Sequence, residues 1–182
     1  EHYVAGLEYN LTSVSRLTVE GFLKNYSQFP VSLIDGVSLA NKGGGFEVLG
    51  NEAILSLGEG KTSGLEFLFQ QKLAKNFYGI LAYTYFSSKF SGLDGILRPS
   101  VWDSRHLISF SGGYKLKRNW EISARWRYAG KNPYVPVDIT ASTISYPEII
   151  LDYDTLGEFR LDAFNLADIR ICLLYTSPSP RD

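Results

Sequence analysis

Hydrophobic and polar residues alternate along most of the chain, most regularly over residues 105–130. Within this stretch, the segments RHLISFSGGYKL and WEISARWRYAG are joined only by residues 117–119. Successive side chains of a β-strand point to opposite faces of the sheet. One face of the second segment therefore carries Glu121, Ser123, Arg125 and Arg127, and the other carries Trp120, Ile122, Ala124, Trp126 and Tyr128. The pattern predicts a hairpin of two long antiparallel strands with one charged face and one apolar, aromatic face.

The charged face restricts how this hairpin can lie in a membrane. A register slip of one residue would turn Arg125 and Arg127 towards lipid, at a cost of about 2–4 kcal/mol for each arginine near the bilayer midplane. Trp120 and Tyr128 are separated by about 20 Å along the membrane normal if the strand is tilted by about 40°. Outer-membrane barrels have an apolar band of similar height with an aromatic girdle at each edge. The hairpin is therefore predicted to span a membrane.

The same alternation predicts six complete strands and the start of a seventh. They cover residues 2–11, 16–26, 63–73, 77–87 and the two strands of the hairpin, and the seventh begins near Phe164. Short turns at 12–15, 74–76 and 117–119 alternate with long loops at 27–62, 88–104 and 130–163. All turns then lie at one edge of the sheet and all loops at the other, which is the asymmetry of bacterial outer-membrane barrels. A soluble sandwich has no need for strands of about ten residues with an aromatic band at each end.

Composition agrees with an all-β membrane sheet. The 182 residues include 12 Tyr, 11 Phe and 17 Gly, and the formal net charge of −1 suggests no nucleic-acid partner. No apolar run reaches the roughly 18 residues of a transmembrane helix. The chain begins within a predicted strand and without a signal peptide, so we expect a fragment. The expected fold class is an all-β, antiparallel transmembrane β-barrel fragment.

The last residues differ in character from the rest of the chain. CLLYTSPSPRD, residues 172–182, reads as the translation of the end of a transposase-based sequencing-library adapter. We expect a non-native tail at 172–182, which includes the single cysteine, Cys172, and a partial barrel at 1–171.

Several segments resemble the C-terminal barrel region of TonB-dependent outer-membrane receptors, particularly those of Bacteroidetes-type bacteria. They are GLEYNLTSVSRLTVEGFLKNYSQFPVS, SGLEFLFQQKL, YGILAYTYFSSKF, WDSRHLISFSGGYKLKRNWEISARWRYAGKNPYVPVD and FRLDAFNLADIRI. Barrels of this family have about 22 strands closed around an N-terminal plug. The family imports scarce large ligands, such as iron chelates, cobalamin or oligosaccharides, with energy transmitted by TonB. We expect the plug with its TonB box to lie outside this sequence, and residues 172–182 to stand where the family has its last strands.

The resemblance implies a protein of the bacterial cell outer membrane whose parent imports a ligand that the sequence does not identify. The implied partners are outer-membrane lipid and the TonB complex, which is reached through the missing plug. A passive channel or structural barrel without an energised plug is the alternative, and a soluble β-rich binding module is a third reading. An enzyme is not expected, because no acid, base and nucleophile stand in a recognisable frame, and neither a cofactor nor a metal site is predicted.

Two groups of residues are candidates for function. The inward charged positions can pair with the plug or can merely solvate the lumen wall, and both readings stay open for Glu20, Glu66, Glu121, Arg125 and Arg127. The candidate ligand-loop residues are Trp102, Asp103, His106 and Tyr134. For residues 102–106 a structural role is the main expectation, with Trp102 in the outer girdle and Asp103 paired with Arg105 to pin the loop, and ligand contact is the alternative. Tyr134 is expected either to pack at the rim or to stack on a ligand.

Overall fold

The computed structural model describes residues 1–43 and 48–173, and ten strands occur in these ranges. They are β1 (His2–Asn10), β2 (Ser15–Ser32), β3 (Ile54–Ala74), β4 (Phe77–Ser91), β5 (Leu97–Pro99), β6 (His106–Lys115), β7 (Trp120–Ala129), β8 (Pro133–Tyr134), β9 (Phe159–Arg160) and β10 (Phe164–Leu173). The expected tail at 172–182 lies outside the described residues from position 174 onward.

One antiparallel sheet forms the body of the chain, in the order β1-β2-β3-β4-β6-β7-β10, with β5 paired to the end of β4. β8 and β9 form a separate two-stranded ribbon, and a short helix, α1 (Ile139–Ile144), lies between them. In the described ranges, no helix is long and apolar enough to cross a membrane. The predicted all-β, antiparallel fold is confirmed, and the sheet is open, with β1 and β10 at its edges.

Two of the short connections are tight turns that need left-handed backbone. Ala74 pairs with Phe77, so Lys75 and Asn76 alone reverse the chain, with φ of 46° and 72°. The β6–β7 connection contains Arg118 and Asn119, with φ of 59° and 61°. Positive φ at two central residues suits the right-handed twist of the flanking strands. Both turns lie at the same edge of the sheet, and the long loops lie at the other.

Three strands extend further towards the long loops than the alternation predicts. β2 continues to Ser32, β3 begins at Ile54 and β4 ends at Ser91, so these strands include residues that the alternation assigns to the loops 27–62 and 88–104. A register irregularity after Tyr26 interrupts the period of two, and this hides the continuation in the sequence. The extension is held by packed rings, since the Phe90 ring lies 4.5 Å from that of Phe29 and 5.4 Å from that of Tyr26.

The register separates apolar from charged side chains in the central rows of the sheet. We call one surface the apolar face; two neighbouring rows of it consist of Tyr9, Leu17, Phe69, Leu81, Phe110, Trp126 and Ala167, and of Leu7, Val19, Phe67, Tyr83, Ile108, Tyr128 and Asn165. These rows contain no charged side chain. The Asn165 side chain is not left unpaired, because its oxygen accepts a hydrogen bond of 2.7 Å from the Trp126 indole.

The opposite surface, the polar face, carries the charges of the central rows. Three of its rows consist of Asn10, Arg16, Gln70, Ile80, Ser111, Arg125 and Asp168, of Glu8, Thr18, Leu68, Ala82, Ser109, Arg127 and Leu166, and of Gly6, Glu20, Glu66, Thr84, Leu107, Ala129 and Phe164. The charged residues of these rows lie on the strands to either side of β4 and β6. The residues that β4 and β6 themselves contribute to these rows are uncharged. The face assignments of the predicted hairpin agree with this register.

Placing a charge on the apolar face should prevent stable insertion of the sheet into a bilayer. Phe110→Arg is expected to cost about 2–4 kcal/mol, whereas Ser111→Arg places the same side chain on the polar face one residue away. In the full-length protein, the folded fraction in membranes can be measured by its heat-modifiable migration on gels. Equal folding of the two variants would contradict the assignment of the faces.

Candidate functional site

The three long loops pack together at one end of the sheet, and we call residues 33–43, 48–53, 92–105 and 130–163 the loop cap. Phe90, which the cap covers, belongs to the polar face, because the β3–β4 register runs without interruption from Gly60↔Phe90 to Glu66↔Thr84 and beyond. Trp102 meets the Phe90 ring edge-on at 6.4 Å. The loop cap therefore packs against the side of the sheet that carries the polar face.

Hydrogen bonds join the first and second loops of the cap. The Asn41 amide donates to the carbonyl oxygens of Arg98 and Pro99, at 3.2 and 2.8 Å. The Val101 backbone N–H donates to the Ala40 carbonyl at 3.2 Å. The Asn41 side chain is almost completely buried, so these contacts are shielded from water and hold the first loop over β5.

A buried carboxylate joins the second loop to the third. Asp103 is fully buried; its carboxylate accepts hydrogen bonds from the Ser88 backbone N–H at 2.7 Å and from Arg160 Nη2 at 2.9 Å. Arg160 Nη1 also donates to the carbonyl oxygens of Asp103 and Lys131, at 2.6 and 2.7 Å. Arg105 Nε lies 3.7 Å from the same carboxylate. Arg160 is thus the main partner of Asp103, and the sequence prediction named only Arg105.

A largely buried lysine joins the first loop to the third. Lys42 Nζ lies 2.6 Å from Asp35 and 2.8 Å from Glu52, and it stands 5.5 Å from the centre of the Tyr153 ring. Burial acts to lower the pKa of Lys42, but the hydrogen bonds to Asp35 and Glu52 outweigh it and leave the pKa raised. The pKa of Glu52 is lowered, first by its hydrogen bond from Lys42 and then by that from the Ser32 hydroxyl. We call Lys42, Asp35, Glu52 and Tyr153 the lysine latch.

Between these joints lies a cleft of about 260 Å³. Its polar lining comes from all three loops and consists of Asp35, Ser38, Asn41, Asp94, Arg98 and Asp154. Asp94 is paired with Arg98 at 2.5 Å, and a hydrogen bond from the Ile96 backbone N–H is the main cause of its lowered pKa. The Asn41 side-chain oxygen accepts no hydrogen bond within the described residues. Asp94 is paired with Arg98 and Asp35 with Lys42, so among the described residues only the Asp154 carboxylate of the lining has no ion pair. A neutral or cationic group can therefore bind beside Asp154.

The polar face below the cap carries charges without partners. Among the described residues, the side chains of Glu20, Glu66, Arg125 and Arg127 form no hydrogen bond or ion pair. Glu121 accepts a hydrogen bond of 2.7 Å from the Tyr78 hydroxyl. No group of three or more His, Cys, Asp or Glu side chains in the described ranges is arranged to hold a metal ion. These unpaired charged side chains can therefore bind another part of the protein or be hydrated by solvent.

Comparison with known proteins decides the family. The model of the family described as TonB dependent receptor-like, beta-barrel, matches residues 1–176. The chain belongs to this TonB-dependent receptor β-barrel family. Its structure is also similar to the crystal structure of the ferripyoverdine receptor of the outer membrane of Pseudomonas aeruginosa bound to ferripyoverdine, with a TM-score of 0.62 and 16% identity. The match covers 93% of this chain and 20% of that receptor, so the chain spans about a fifth of its length. No curated protein sequence matched the chain.

Membership in the TonB-dependent receptor family shows what each face of the sheet contacts. The apolar face is the lipid-facing side of a barrel wall, and the polar face lines the lumen. The family is one of receptors and not of enzymes, as the sequence led us to expect. The loop cap therefore belongs to the lumen side of the barrel mouth.

The structure separates the candidate ligand-loop residues of this TonB-dependent receptor barrel from one another. Trp102 is 49% exposed and packs against Phe90 on the lumen side, not in the lipid-facing girdle. His106 pairs with Tyr85 on the lipid-facing side, and its Nδ1 lies 3.0 Å from the Tyr83 hydroxyl. Tyr134 packs against Phe159 in the small ribbon, with ring centres 6.0 Å apart. The sequence missed the lysine latch and Arg160, because irregular loops show no periodicity that marks buried charges.

Loss of the buried carboxylate should release the second and third loops. Asp103→Ala leaves Arg160 without its charged partner, and we expect the cap to lose about 3 kcal/mol of local stability. The matched control is Asp162→Ala, since Asp162 is fully exposed and lies 3.8 Å from Lys131. Hydrogen exchange of residues 92–105 and 130–163 in the full-length protein should accelerate in the first variant only. Unchanged exchange in Asp103→Ala would show that the loops are held by other contacts.

The lysine latch should open in acid and hold at neutral pH. The lowered pKa of Glu52 means that its contribution is complete above the ordinary glutamate pKa and is lost as pH falls through the lowered value. The raised pKa of Lys42 places its own loss at alkaline pH, above the ordinary lysine value. Spin labels on cysteines introduced at Asn51 and Glu158 would report the loop separation.

The expected result is one narrow distance at pH 7 that broadens on strong acidification. The Glu52→Gln variant should already be broad at pH 7, because the amide cannot pair with Lys42 as a charge. A narrow distance in that variant, or no broadening in acid, would refute the latch.

Proposed function

We propose that the parent of this chain is an energised receptor of the bacterial cell outer membrane that imports a scarce ligand. Family membership carries this proposal. The arrangement of the chain supports it, because a cap built from three loops stands on the lumen side above a wall with unpartnered charges. The chain would supply part of the wall of a barrel of about 22 strands, together with three extracellular loops.

The proposed mechanism begins with capture of the ligand at the cap. The cleft beside the lysine latch is the capture site that we favour, because groups from all three loops line it. Asp35 and Asp94 are already paired with Lys42 and Arg98, so the unpaired carboxylate of Asp154 is what favours a neutral or cationic ligand over an anionic one. Trp102, whose ring is half-exposed and packs against Phe90, is the candidate for stacking on the ligand. We assign a structural role to Asp103, a place in the lipid-facing girdle to His106, and rim packing to Tyr134.

The lumen charges are proposed to hold the plug. Glu20, Glu66, Arg125 and Arg127 have no partner among the described residues, and Glu121 has only a neutral one. Complementary groups on a plug would pair with them and exchange partners when TonB pulls on the plug. Simple hydration of the lumen wall is the competing reading. The TonB complex is therefore a proposed partner through the plug, alongside outer-membrane lipid.

Two finer points are also proposals. The residues of the segments that resemble the family suggest an origin in Bacteroidetes-type bacteria. The adapter-like residues 172–182 suggest that the natural sequence ends at residue 171. Strand β10 pairs as far as Leu173, opposite Trp120, so strand pairing alone does not mark this boundary. Sequencing the genomic locus across codons 165–182 would decide it, because a native sequence that differs after position 171 is the result we expect.

Import should require both TonB and the lumen arginines. In cells that express the full-length gene, we expect uptake of one of three probes, namely ferric ferrichrome, cyanocobalamin or maltoheptaose, to disappear when tonB is deleted. Uptake that persists without TonB would support the alternative, a passive channel. If the lumen arginines hold the plug, Arg125→Ala with Arg127→Ala should reduce TonB-dependent uptake and make the plug more accessible to protease.

The matched control removes the same charge from the short turn, as Lys117→Ala with Arg118→Ala, and should leave both measurements unchanged. Normal uptake and plug protection in the arginine variant would reject plug anchoring while leaving the import function intact.

A further inference from the structure

Two lysines face each other on the lipid-facing side, near the long-loop end of the sheet. Lys61 of β3 pairs directly with Lys89 of β4, in the uninterrupted register that also pairs Leu65 with Tyr85. Both lysines are exposed, and neither side chain forms a hydrogen bond or ion pair within the described residues. Like charges directly opposite one another on a sheet are destabilising. An anion bound between the two ammonium groups would remove this repulsion.

The lipid-facing rows change in composition just below the lysine pair. One row contains no acidic residue or lysine and consists of Ala5, Gly21, Leu65, Tyr85 and His106. The next row is mixed and consists of Tyr3, Leu23, Ser63 and Ser87. The row after that is wholly polar and consists of Glu1, Asn25, Lys61 and Lys89. This change, with aromatic rings below it, marks the edge of the apolar band.

The lysine pair lies at the level of the lipid headgroups. Lys89 is four residues beyond Tyr85 on β4, which places it about 10 Å higher along the membrane normal at the usual rise and tilt. The long loops of such barrels are extracellular, so the lysines face the outer leaflet. The headgroups of this leaflet in bacterial outer membranes are acylated sugars that carry phosphates. The two ammonium groups therefore lie beside phosphorylated sugars.

A groove beside Lys61 contains polar side chains without partners. It has a volume of about 420 Å³, and its lining includes Glu1, Asn25, Ser27, Glu59 and Lys61. Among the described residues, the side chains of Asn25, Ser27 and Glu59 form no hydrogen bond. A carboxylate and an amide can accept several hydrogen bonds from the hydroxyl groups of a sugar.

The charges of this surface nearly cancel, which favours a sugar phosphate over a simple anion. Lys61 and Lys89 stand beside the carboxylates of Glu59 and Glu1, and Glu1 accepts a hydrogen bond of 3.1 Å from the Tyr3 hydroxyl. A simple anion would gain little net attraction here. A phosphate attached to a hydroxyl-rich ring can pair with the lysines while the ring binds the carboxylates.

We propose that Lys61, Lys89, Glu59 and Asn25 bind the headgroup of a phosphorylated glycolipid of the outer leaflet. A phosphate lies between the two lysine ammonium groups and accepts charge-assisted hydrogen bonds from both. The sugar ring that bears it lies in the groove, where its hydroxyl groups donate to the Glu59 carboxylate and to the Asn25 amide oxygen. The acyl chains run down the lipid-facing surface past Tyr85. The site is on the outside of the barrel and does not depend on which ligand the receptor imports.

The test uses the full-length receptor in a neutral detergent, with folding of each variant first checked by heat-modifiable migration. Native mass spectrometry would measure the binding of bisphosphorylated lipid A, of the same lipid A after removal of its phosphates, and of phosphatidylglycerol. Bisphosphorylated lipid A should bind best, because it alone combines phosphate with a sugar ring. Lys61→Gln with Lys89→Gln should weaken its binding by about tenfold or more. In that variant, removal of the phosphates should make little further difference.

A second variant separates the sugar contacts from the phosphate contact. Glu59→Ala with Asn25→Ala should weaken the binding of lipid A but not that of phosphatidylglycerol. The matched control removes two lysines from the lumen side, as Lys24→Gln with Lys115→Gln, and should bind all three lipids as the unmodified receptor does.

Unchanged binding of lipid A after loss of Lys61 and Lys89 would overturn the proposal. Equal binding of the three lipids by the unmodified receptor would overturn it as well. Soluble glucosamine 6-phosphate distinguishes a free sugar phosphate from a membrane lipid. If it binds as tightly as lipid A does, the lipid is not the occupant and the proposal fails.

Discussion

The backbone of this sheet must satisfy its own hydrogen bonds, because hydrocarbon offers no partner to an amide or a carbonyl. Every strand in the lipid band therefore depends on the register of its neighbours, and the register decides which side chains meet lipid. In this chain, all charges of the central rows fall on one face across seven strands. A slip in a single hairpin would expose arginine to lipid and misplace the strands on both sides. The same register therefore sets both the pairing of the strands and the face on which each charge lies.

This constraint explains how much of the fold can be read from the sequence. A strand between lipid and lumen alternates strictly, so the hairpin with Trp126 and Arg127 and the positions of the short turns are legible from residue types alone. The alternation ends where the strands leave the lipid. Beyond Tyr26, a bulge shifts the period of two, so the alternation predicts loop where the structure has the outer ends of β2 to β4. The resemblance to a receptor family, in contrast, depends only on the residues of several segments and on their order along the chain, and the family model confirms it.

The candidate site was less predictable, because the cap is held by buried charges at irregular spacing. Asp103 was recognised as a pin for its loop, yet its principal partner, Arg160, lies 57 residues away in another loop. The lysine latch gives no local signal either, since its members come from separate parts of two loops. Few apolar side chains of the described residues are buried, among them Val31, Ala40 and Phe90, and they lie where the cap meets the sheet. Ion pairs at fixed geometry keep a loop in one arrangement while leaving it able to open when a partner is lost.

The distribution of unpartnered charge on the lumen wall has one further consequence. Glu20 and Glu66 stand on β2 and β3, Arg125 and Arg127 stand on β7, and the uncharged strip of β4 and β6 lies between them. The two carboxylates are therefore about three strand widths from the two guanidinium groups, and Lys24 on β2 and Asp168 on β10 add opposite charges beside them. A charged body inside such a barrel has a preferred rotation about the pore axis as well as a preferred depth. The pattern of charges on the wall therefore favours particular orientations of such a body.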